Sequence, residues 1–229
     1  MVTVIKSWTF ESGTLEGFTG VTTYGGDDIW GLPHYNEIDV SVVSSGTYVL
    51  RCTAGNCLGY AKAPLENLPD VGGYQVEYLV HSSNSHQTAA GSGYTGAAIT
   101  VVDGDGDLIA QITGDNTSYY PTGYPTDPSG DIICRRIAGA WLHHIIKWRS
   151  DNGLIHHYVY DDGGALLGFF EVRRAETIGK IPAEIRCLVG GHRGTHIVDY
   201  DNIIVSTFKI PPSRRRRAAW MNMERPAVL

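Results

Sequence analysis

The feature that most constrains this chain is an alternation of apolar and polar side chains in short runs that recur over most of its length. The runs are rich in β-branched and aromatic residues and end at Gly, Asn, Asp or Pro, as strands between turns do. No window of helical length keeps apolar residues at positions i, i+3, i+4 and i+7. The pattern predicts an all-β chain of about ten strands. The runs are 37–43, 47–52, 74–80, 98–102, 108–112, 141–148, 154–160, 167–172, 184–189 and 203–208.

Two connections between these runs predict hairpins. Residues 103–107 (DGDGD) and 149–153 (RSDNG) contain the Asp-Gly and Asn-Gly pairs that supply positive φ angles in tight turns. The alternating carboxylates of 103–107 also resemble a calcium loop, but the Glu at the twelfth position of such a loop is missing. A plain hairpin turn is therefore the preferred interpretation of this segment.

The predicted fold is an antiparallel jelly-roll β-sandwich over residues 1–210, because two stacked sheets leave few exposed edges. The chain is 42% hydrophobic, which suffices for a sizeable core. Residues 113–131 contain several Pro and Gly and are predicted to form a long loop. Beyond the last strand, residues 211–229 are predicted to be a basic and apolar C-terminal extension.

The extension differs in charge from the rest of the chain. It has a net charge of +4, whereas the whole chain has −6 and residues 1–210 therefore have −10. We favour an arm that binds the acidic body of a neighbouring subunit, in a homo-oligomer or a larger assembly. Binding to nucleic acid or to an anionic membrane surface, and a solvated tail, are the alternatives. The residues concerned are Arg214, Arg215, Arg216, Arg217 and the apolar anchor Trp220.

The acidic body argues against nucleic acid as its own partner. No apolar run reaches the ~20 residues of a membrane span, so no transmembrane segment is expected. The first residues lack the basic and apolar regions of a signal peptide. A virion or an extracellular surface is the predicted location. The alternatives for the missing signal peptide are a protein that stays inside the cell, one that leaves by cell lysis or another route, and a chain recorded in its mature form.

Three segments carry a family resemblance. Residues 8–18 (WTFESGTLEGF) and 44–51 (SSGTYVLR) resemble the opening strands of carbohydrate-binding modules and of concanavalin A-like, laminin-G-like domains. Residues 199–206 (DYDNIIVS) are similar to the closing strand of those families. The resemblance covers roughly residues 7–208 and implies the jelly-roll fold. It also implies a structural Ca²⁺ shared by an acidic residue of the first segment and an Asp of the last strand, here Glu11 and Asp201.

A second resemblance concerns catalysis. Residues 37–42 (EIDVSV) resemble the EIDxxE signature of laminarinase-like glycosidases, in which the first and last Glu act as nucleophile and acid/base. Retaining hydrolysis needs both carboxyl groups, and Val42 occupies the last position here. No other hydrolase or phosphate-loop signature is present. The sequence therefore predicts a protein that is not an enzyme.

The cysteines and histidines leave several options. Cys52 and Cys57 flank a short turn and are a candidate disulfide, whereas Cys134 and Cys187 lie in apolar runs typical of core residues. Two adjacent histidine pairs, 143–144 and 156–157, lie on the two arms of the second hairpin. Neighbouring strand residues point to opposite faces, so neither pair chelates zinc alone, and positions on a polar face are the preferred interpretation.

Aromatic residues in Gly- and Pro-rich segments are the candidate ligand-binding groups. Core packing explains them poorly, whereas exposed rings stack on sugars or anchor protein interfaces. The alternative is that they pack on their own loops. The residues are Trp30, Tyr35, Tyr119, Tyr120 and Tyr124, with Tyr94 in a similar setting.

Three functions follow in order of preference. The first is a non-catalytic jelly-roll protein of a virion-like or cell-surface assembly, for structural use or surface recognition, with glycans as candidate ligands. The second is a carbohydrate-binding module or lectin that acts alone. The third is a glycan hydrolase or lyase whose site has no recognised signature.

Overall fold

The computed structural model describes residues 2–24, 38–44, 47–55, 58–66, 68–69, 72–82, 98–114, 118–120, 133–135, 139–190 and 195–208. These residues form β-strands and one short 3₁₀ turn at Ala175–Thr177. In chain order the strands are β1 (Val2–Trp8), β2 (Thr19–Tyr24), β3 (Asp39–Ser44), β4 (Tyr48–Gly55), β5 (Leu58–Pro64), β6 (Gly73–Ser82), β7 (Ala98–Val102), β8 (Leu108–Gly114), β9 (Ser118–Tyr120), β10 (Cys134–Arg135), β11 (Trp141–Arg149), β12 (Leu154–Asp161), β13 (Leu166–Arg173), β14 (Glu184–Gly190) and β15 (Thr195–Phe208).

The strands form two antiparallel sheets. The larger sheet has the order β13-β12-β11-β6-β15-β4-β3, and β1 pairs with the second half of β15. The smaller sheet has the order β10-β9-β8-β7-β14-β5-β2. Several pairs of consecutive strands, such as β4 and β5 or β6 and β7, belong to different sheets, so the chain crosses repeatedly between the layers. The predicted all-β jelly-roll sandwich is confirmed.

The core lies between the inner faces of the two sheets. Alternate residues of each central strand are buried, so β11 and β12 have a strict two-residue period of burial. At the end of β1, Trp8 and Phe10 both pack on Phe18. The centre of the Phe18 ring lies 5.4 Å from that of Trp8 and 5.7 Å from that of Phe10. Such rings bury a large apolar area and prefer tilted contacts. They join the first segment of the chain to the body of the sandwich.

Both predicted hairpins are present. In the turn between β7 and β8, the Asp103 carboxylate accepts hydrogen bonds from the N–H groups of Asp105 and Asp107. In the turn between β11 and β12, Gly153 has φ of +68°, and a Cβ there would lie 2.1 Å from the Arg174 carbonyl oxygen. Only glycine meets both requirements, which is why the Asn-Gly pair is needed at this turn.

One predicted loop contains more regular structure than expected. Strand β8 extends to Gly114, and β9 pairs with both β8 and β10. The prediction of a loop over 113–131 is therefore wrong for these residues, because neighbouring strands supply backbone partners that the local Pro and Gly content does not reveal. Residues 121–132 lie outside the described part of the chain.

The C-terminal extension, 211–229, also lies outside the described residues, so its arm hypothesis stays a prediction. Within the described ranges, the structure contains no helix long and apolar enough to cross a bilayer.

Candidate functional site

The outer face of the larger sheet carries an unusual set of side chains. On β6, β11, β12 and β13 the residues that point away from the core are largely aromatic or imidazole groups. A solvent-facing sheet surface is ordinarily polar, because only its inner face needs apolar groups. We call this surface the aromatic face. It consists of His81, Trp141, His143, Lys147, His156, Tyr158, Tyr160, Phe169 and Glu171.

The strand register places these groups in rows across the sheet. His143 on β11 is directly opposite Tyr160 on β12, and Tyr158 is opposite Phe169 on β13. Side chains at directly opposed positions lie about 5 Å apart at Cβ and interact with each other. The rings therefore form one continuous surface and not a set of isolated groups.

Contacts between the rings hold this surface in place. Tyr158 lies 5.0 Å from Phe169 and is stacked on Tyr160 at 6.4 Å, measured between ring centroids. Phe169 remains 47% exposed although it contacts both Tyr158 and His156. Mutual packing reduces the rotamer freedom of these side chains, so a ligand that binds them loses less conformational entropy.

Charged groups lie at one side of the rings. The His156 imidazole and the Glu171 carboxylate are 2.8 Å apart, and the Lys147 ammonium lies 5.4 Å from the centre of the Tyr158 ring. Burial raises the pKa of Tyr158, and the neighbouring Tyr160 and Glu171 act in the same direction. The Tyr158 hydroxyl is thus a neutral hydrogen-bond donor at physiological pH.

The neighbouring half of the outer face is polar. Arg51 on β4 binds the Asp199 carboxylate on β15 through two hydrogen bonds of 2.7 and 2.9 Å. This pairing raises the pKa of Arg51. His81 on β6 lies 3.7 Å from the second Asp199 oxygen and contacts the Trp141 ring at 5.3 Å. The ion pair therefore borders the aromatic face at its Trp141 end.

The inner face of β11 and β12 holds the second histidine of each adjacent pair. His144 and His157 are fully buried in the core, and the expectation that they lie on a polar face is wrong. Burial lowers the pKa of each to about 3, so both imidazoles are neutral inside the sandwich. The reason is that adjacent side chains of a strand point to opposite faces of the sheet. Because one face of β11 and β12 packs on the core, one histidine of each pair is buried.

A tyrosine hydroxyl binds the first of these imidazoles. The Tyr78 hydroxyl lies 3.0 Å from His144 Nδ1 and 3.4 Å from the Ile99 N–H, which can only donate. The hydroxyl accepts from Ile99 and shares a hydrogen bond with Nδ1, so it ties the His144 imidazole to β6 and β7. The register also excludes a shared zinc site of the two pairs, since His143 is opposite Tyr160 and Lys147 is opposite His156.

The residues of the predicted calcium site approach each other. Asp201 is only 8% exposed, and its pKa is raised by burial and by the charge of Glu11. Two carboxylates that repel each other in this way are the ligand chemistry that a hard cation needs. Among the described residues no third His, Cys, Asp or Glu joins them, so main-chain oxygens or water would complete the shell. The chemistry fits Ca²⁺, and the site stays a prediction.

The alternating carboxylates of the first hairpin have a different partner. The Lys180 ammonium binds Asp103 at 2.6 Å and Asp107 at 2.7 Å. Burial acts to raise the pKa of Asp103, but the hydrogen bonds from Lys180 and from the turn outweigh it and lower the pKa. One lysine side chain thus binds two of the three carboxylates of this turn, in agreement with the plain-turn interpretation.

The predicted loop aromatics are placed only in part. Tyr119 and Tyr120 belong to β9, while their side chains lie outside the described set. Trp30, Tyr35, Tyr94 and Tyr124 lie outside the described residues altogether. None of them can be compared with the aromatic face, which the sequence analysis did not identify. Its signal was present, because three of the four alternate residues of 141–147 and all three of 156–160 belong to it.

The cysteines are found in the core. Cys52, Cys134 and Cys187 are buried free thiols, as predicted for the last two, and burial raises the pKa of all three. The free thiol of Cys52 does not support the Cys52–Cys57 disulfide, and Cys57 lies outside the described residues. Cys52 instead points inward from β4, where its thiol interacts with the backbone of Ala61 on β5.

No known protein family matches the chain by sequence. No curated protein is similar to it at a significant level.

Several solved structures are similar in fold. Arcelin-5, a lectin-like defense protein from Phaseolus vulgaris, aligns with a TM-score of 0.55 at 10% identity, over 76% of this chain and 92% of its own. The CBM2 module of the evolved Dit of Lactobacillus casei BL23 phage J-1 has a TM-score of 0.56 at 11% identity, over 93% and 98%. The carbohydrate esterase vb_24B_21 of Shiga toxin-encoding bacteriophage phi24B has 0.57 at 14% identity, over 90% and 99%. At such identities the likeness shows the fold alone.

Proposed function

The chain has a jelly-roll sandwich of the concanavalin A-like type, and from this premise we propose that it is a non-catalytic glycan-binding protein whose ligand lies on the aromatic face. The observation that carries the proposal is the exposure of packed rings on the solvent side of a sheet, where folding does not require them. Sugar rings present C–H faces that pack on aromatic rings, and their hydroxyls bind neighbouring polar groups.

The composition of the aromatic face suits such a ligand. Tyr158 and Phe169 supply apolar surface at the centre, while His143, His156 and Glu171 supply hydrogen-bonding atoms beside it. A few placed polar groups around an apolar surface are typical of small-molecule and cofactor sites. The fold of a lectin-like protein and of a carbohydrate-binding module agrees with this proposal, although fold alone does not imply function.

A glycan array followed by calorimetry tests the proposal with Tyr158→Ala. Loss of one central aromatic contact is expected to weaken binding by about 2 kcal/mol, or roughly thirtyfold. Tyr48→Ala is the matched control, because Tyr48 is 40% exposed but lies on β4 away from the aromatic face. Equal affinity of the Tyr158→Ala variant and the unaltered protein would exclude the aromatic face as the site.

We further propose that the protein acts within a virion or cell-surface assembly through residues 211–229. Two of the similar structures come from phage proteins, and the tail and body have opposite net charge. Mass photometry of the full chain and of residues 1–210 tests this part. A larger mass for the full chain alone is expected, and equal monomeric masses would contradict the proposal.

Catalysis is the second candidate, because one of the similar structures is called a carbohydrate esterase. Residues 39–42 of the incomplete glycosidase signature belong to β3, and Glu37 lies outside the described residues. Incubation of the protein with the glycans it binds separates the two functions. Intact glycan is expected, and product formation that is lost in Glu37→Gln would favour the enzyme.

Calcium at Glu11 and Asp201 is a separate proposal with its own test. A cation between the two carboxylates would join the first segment to the last strand and stabilise the sandwich by mass action, by about 2.7 kcal/mol at a hundredfold excess over Kd. The thermal midpoint is therefore expected to rise with Ca²⁺ and to fall with EGTA. Asp201→Asn should abolish this response, and an unchanged midpoint in the unaltered protein would contradict the site.

A further inference from the structure

The aromatic face carries cations that form no direct ion pair with a carboxylate of the described residues. Lys147 on β11 points outward beside the Tyr158 ring and forms no ion pair there. Arg173 on β13, one row further along the same face, forms no direct ion pair among the described residues, although its charge helps to lower the pKa of Asp151. Their position is unusual for a chain whose residues 1–210 have a net charge of −10.

Most other basic side chains of the described residues are paired with acids. The exception besides Lys147 and Arg173 is Lys6, which lies over the Trp8 ring. The paired cations are Arg51 with Asp199, Lys62 and Arg186 with Glu184, Arg149 with Asp151, Arg174 with Glu176, and Lys180 with Asp103 and Asp107. Two of the three unpaired cations thus belong to one surface.

The carboxylates near Lys147 are engaged by other groups. Glu171 binds the His156 imidazole at 2.8 Å, and Glu77 accepts a hydrogen bond of 3.0 Å from the Gln75 amide. Neither lies within 4 Å of the Lys147 ammonium as an ion pair. The ammonium can therefore bind an anionic group of a ligand without first breaking a salt bridge.

We infer, on the basis of the proposed function, that the ligand is an acidic glycan: a sugar ring packs on Tyr158 and Phe169, and its carboxylate or sulfate group binds Lys147. Arg173 adds positive charge at the same side, where a following sugar of a linear chain carries its own anionic group. The aromatic rings supply affinity for any sugar, and the cations select the acidic ones.

The test uses the full-length chain and three probes: polygalacturonate for carboxylates, chondroitin sulfate for sulfates, and dextran as a neutral glycan. Binding to at least one acidic probe should be the tightest and should weaken as NaCl rises, since salt screens exposed charges. Lys147→Gln should weaken that binding about tenfold, because hydrogen bonds to charged groups contribute more than neutral ones. Any binding to dextran should weaken far less, because a neutral glycan offers the ammonium no anionic group.

Two controls separate the site from other sources of affinity. Lys62→Gln removes a cation of the smaller sheet that is 40% exposed and should leave every affinity unchanged. Replacing Arg214 to Arg217 by Gln removes the basic run of the C-terminal extension. If acidic glycans bind the extension, this variant loses the binding, Lys147→Gln retains it, and the inference is overturned.

The remaining outcomes distinguish the inference from the proposed function. Dextran binding that depends on Tyr158, with no preference for the acidic probes, would leave the proposed function intact and overturn the acidic ligand. Failure of both acidic probes to bind would overturn the acidic ligand, whereas the proposed function is then decided by the glycan array. Preference for polygalacturonate or for chondroitin sulfate identifies the anionic group that Lys147 binds.

Discussion

The inner and outer faces of the β11–β12 hairpin contain the same residue types in opposite circumstances. His143 and His156 lie outside among rings and charges, whereas His144 and His157 are enclosed between the sheets. Trp141 and Trp148 are divided in the same way at the two ends of β11. Residue type therefore does not decide the role of a side chain here, because position along the strand determines whether water reaches it.

This difference has a thermodynamic consequence for the buried pair. An imidazole with a pKa of about 3 in the folded state and 6.5 when exposed stays neutral in the sandwich but takes up a proton on unfolding in mild acid. The folded state is then disfavoured as the pH falls below the unfolded pKa. The outer face is free of this constraint and is available for a ligand.

The largest expected effect concerns acid stability. Between pH 7.5 and 4.5 the two buried imidazoles together should lower the free energy of unfolding by about 5 kcal/mol. His157→Leu should reduce this loss by about half, because one titrating group is removed, and urea unfolding at both pH values measures it. His156→Leu on the outer face is the matched control and should retain the full loss. An equal loss in both variants would contradict the neutral burial of His157.

The second prediction uses the two tryptophans of β11. Trp148 is 1% exposed and stacks on Tyr74 at 5.4 Å, so Trp148→Ala should lower the free energy of unfolding by about 3–5 kcal/mol. Trp141→Ala should cost about 1 kcal/mol, since the ring chiefly loses its contact with His81. Urea titration at pH 7.5 compares the free energies of unfolding of the two variants. Similar losses would show that Trp141 is buried in solution as Trp148 is.

The smallest effect is expected at the outer ion pair. Glu171 is about half exposed, so its pairing with His156 should contribute under about 1 kcal/mol. A double-mutant cycle of His156→Gln and Glu171→Gln, in low salt and in 1 M NaCl, measures this coupling. A coupling of several kcal/mol that salt does not weaken would mean that water does not reach the pair. The outer face would then be as enclosed as the inner face.

Part of the candidate site was readable from the sequence. The alternation in 141–148 and 154–160 predicts strands, and the Asn-Gly turn predicts that they pair. This alternation does not tell whether the odd-numbered or the even-numbered residues of β11 face the core. Leu142 and Ile146 on one face are as apolar as Trp141 and Ile145 on the other. The sequence alone therefore favours the loops as the site, because core packing does not explain their aromatic residues.

By itself, the sequence determined the all-β class, the sandwich and the two glycine-dependent turns, because periodicity and turn chemistry are local properties. Only the tertiary structure decided which face of β11 and β12 meets the second sheet, that Lys180 neutralises Asp103, and that Lys147 has no acidic partner among the described residues. These facts depend on groups far apart in the chain, which come together only when the sheets stack.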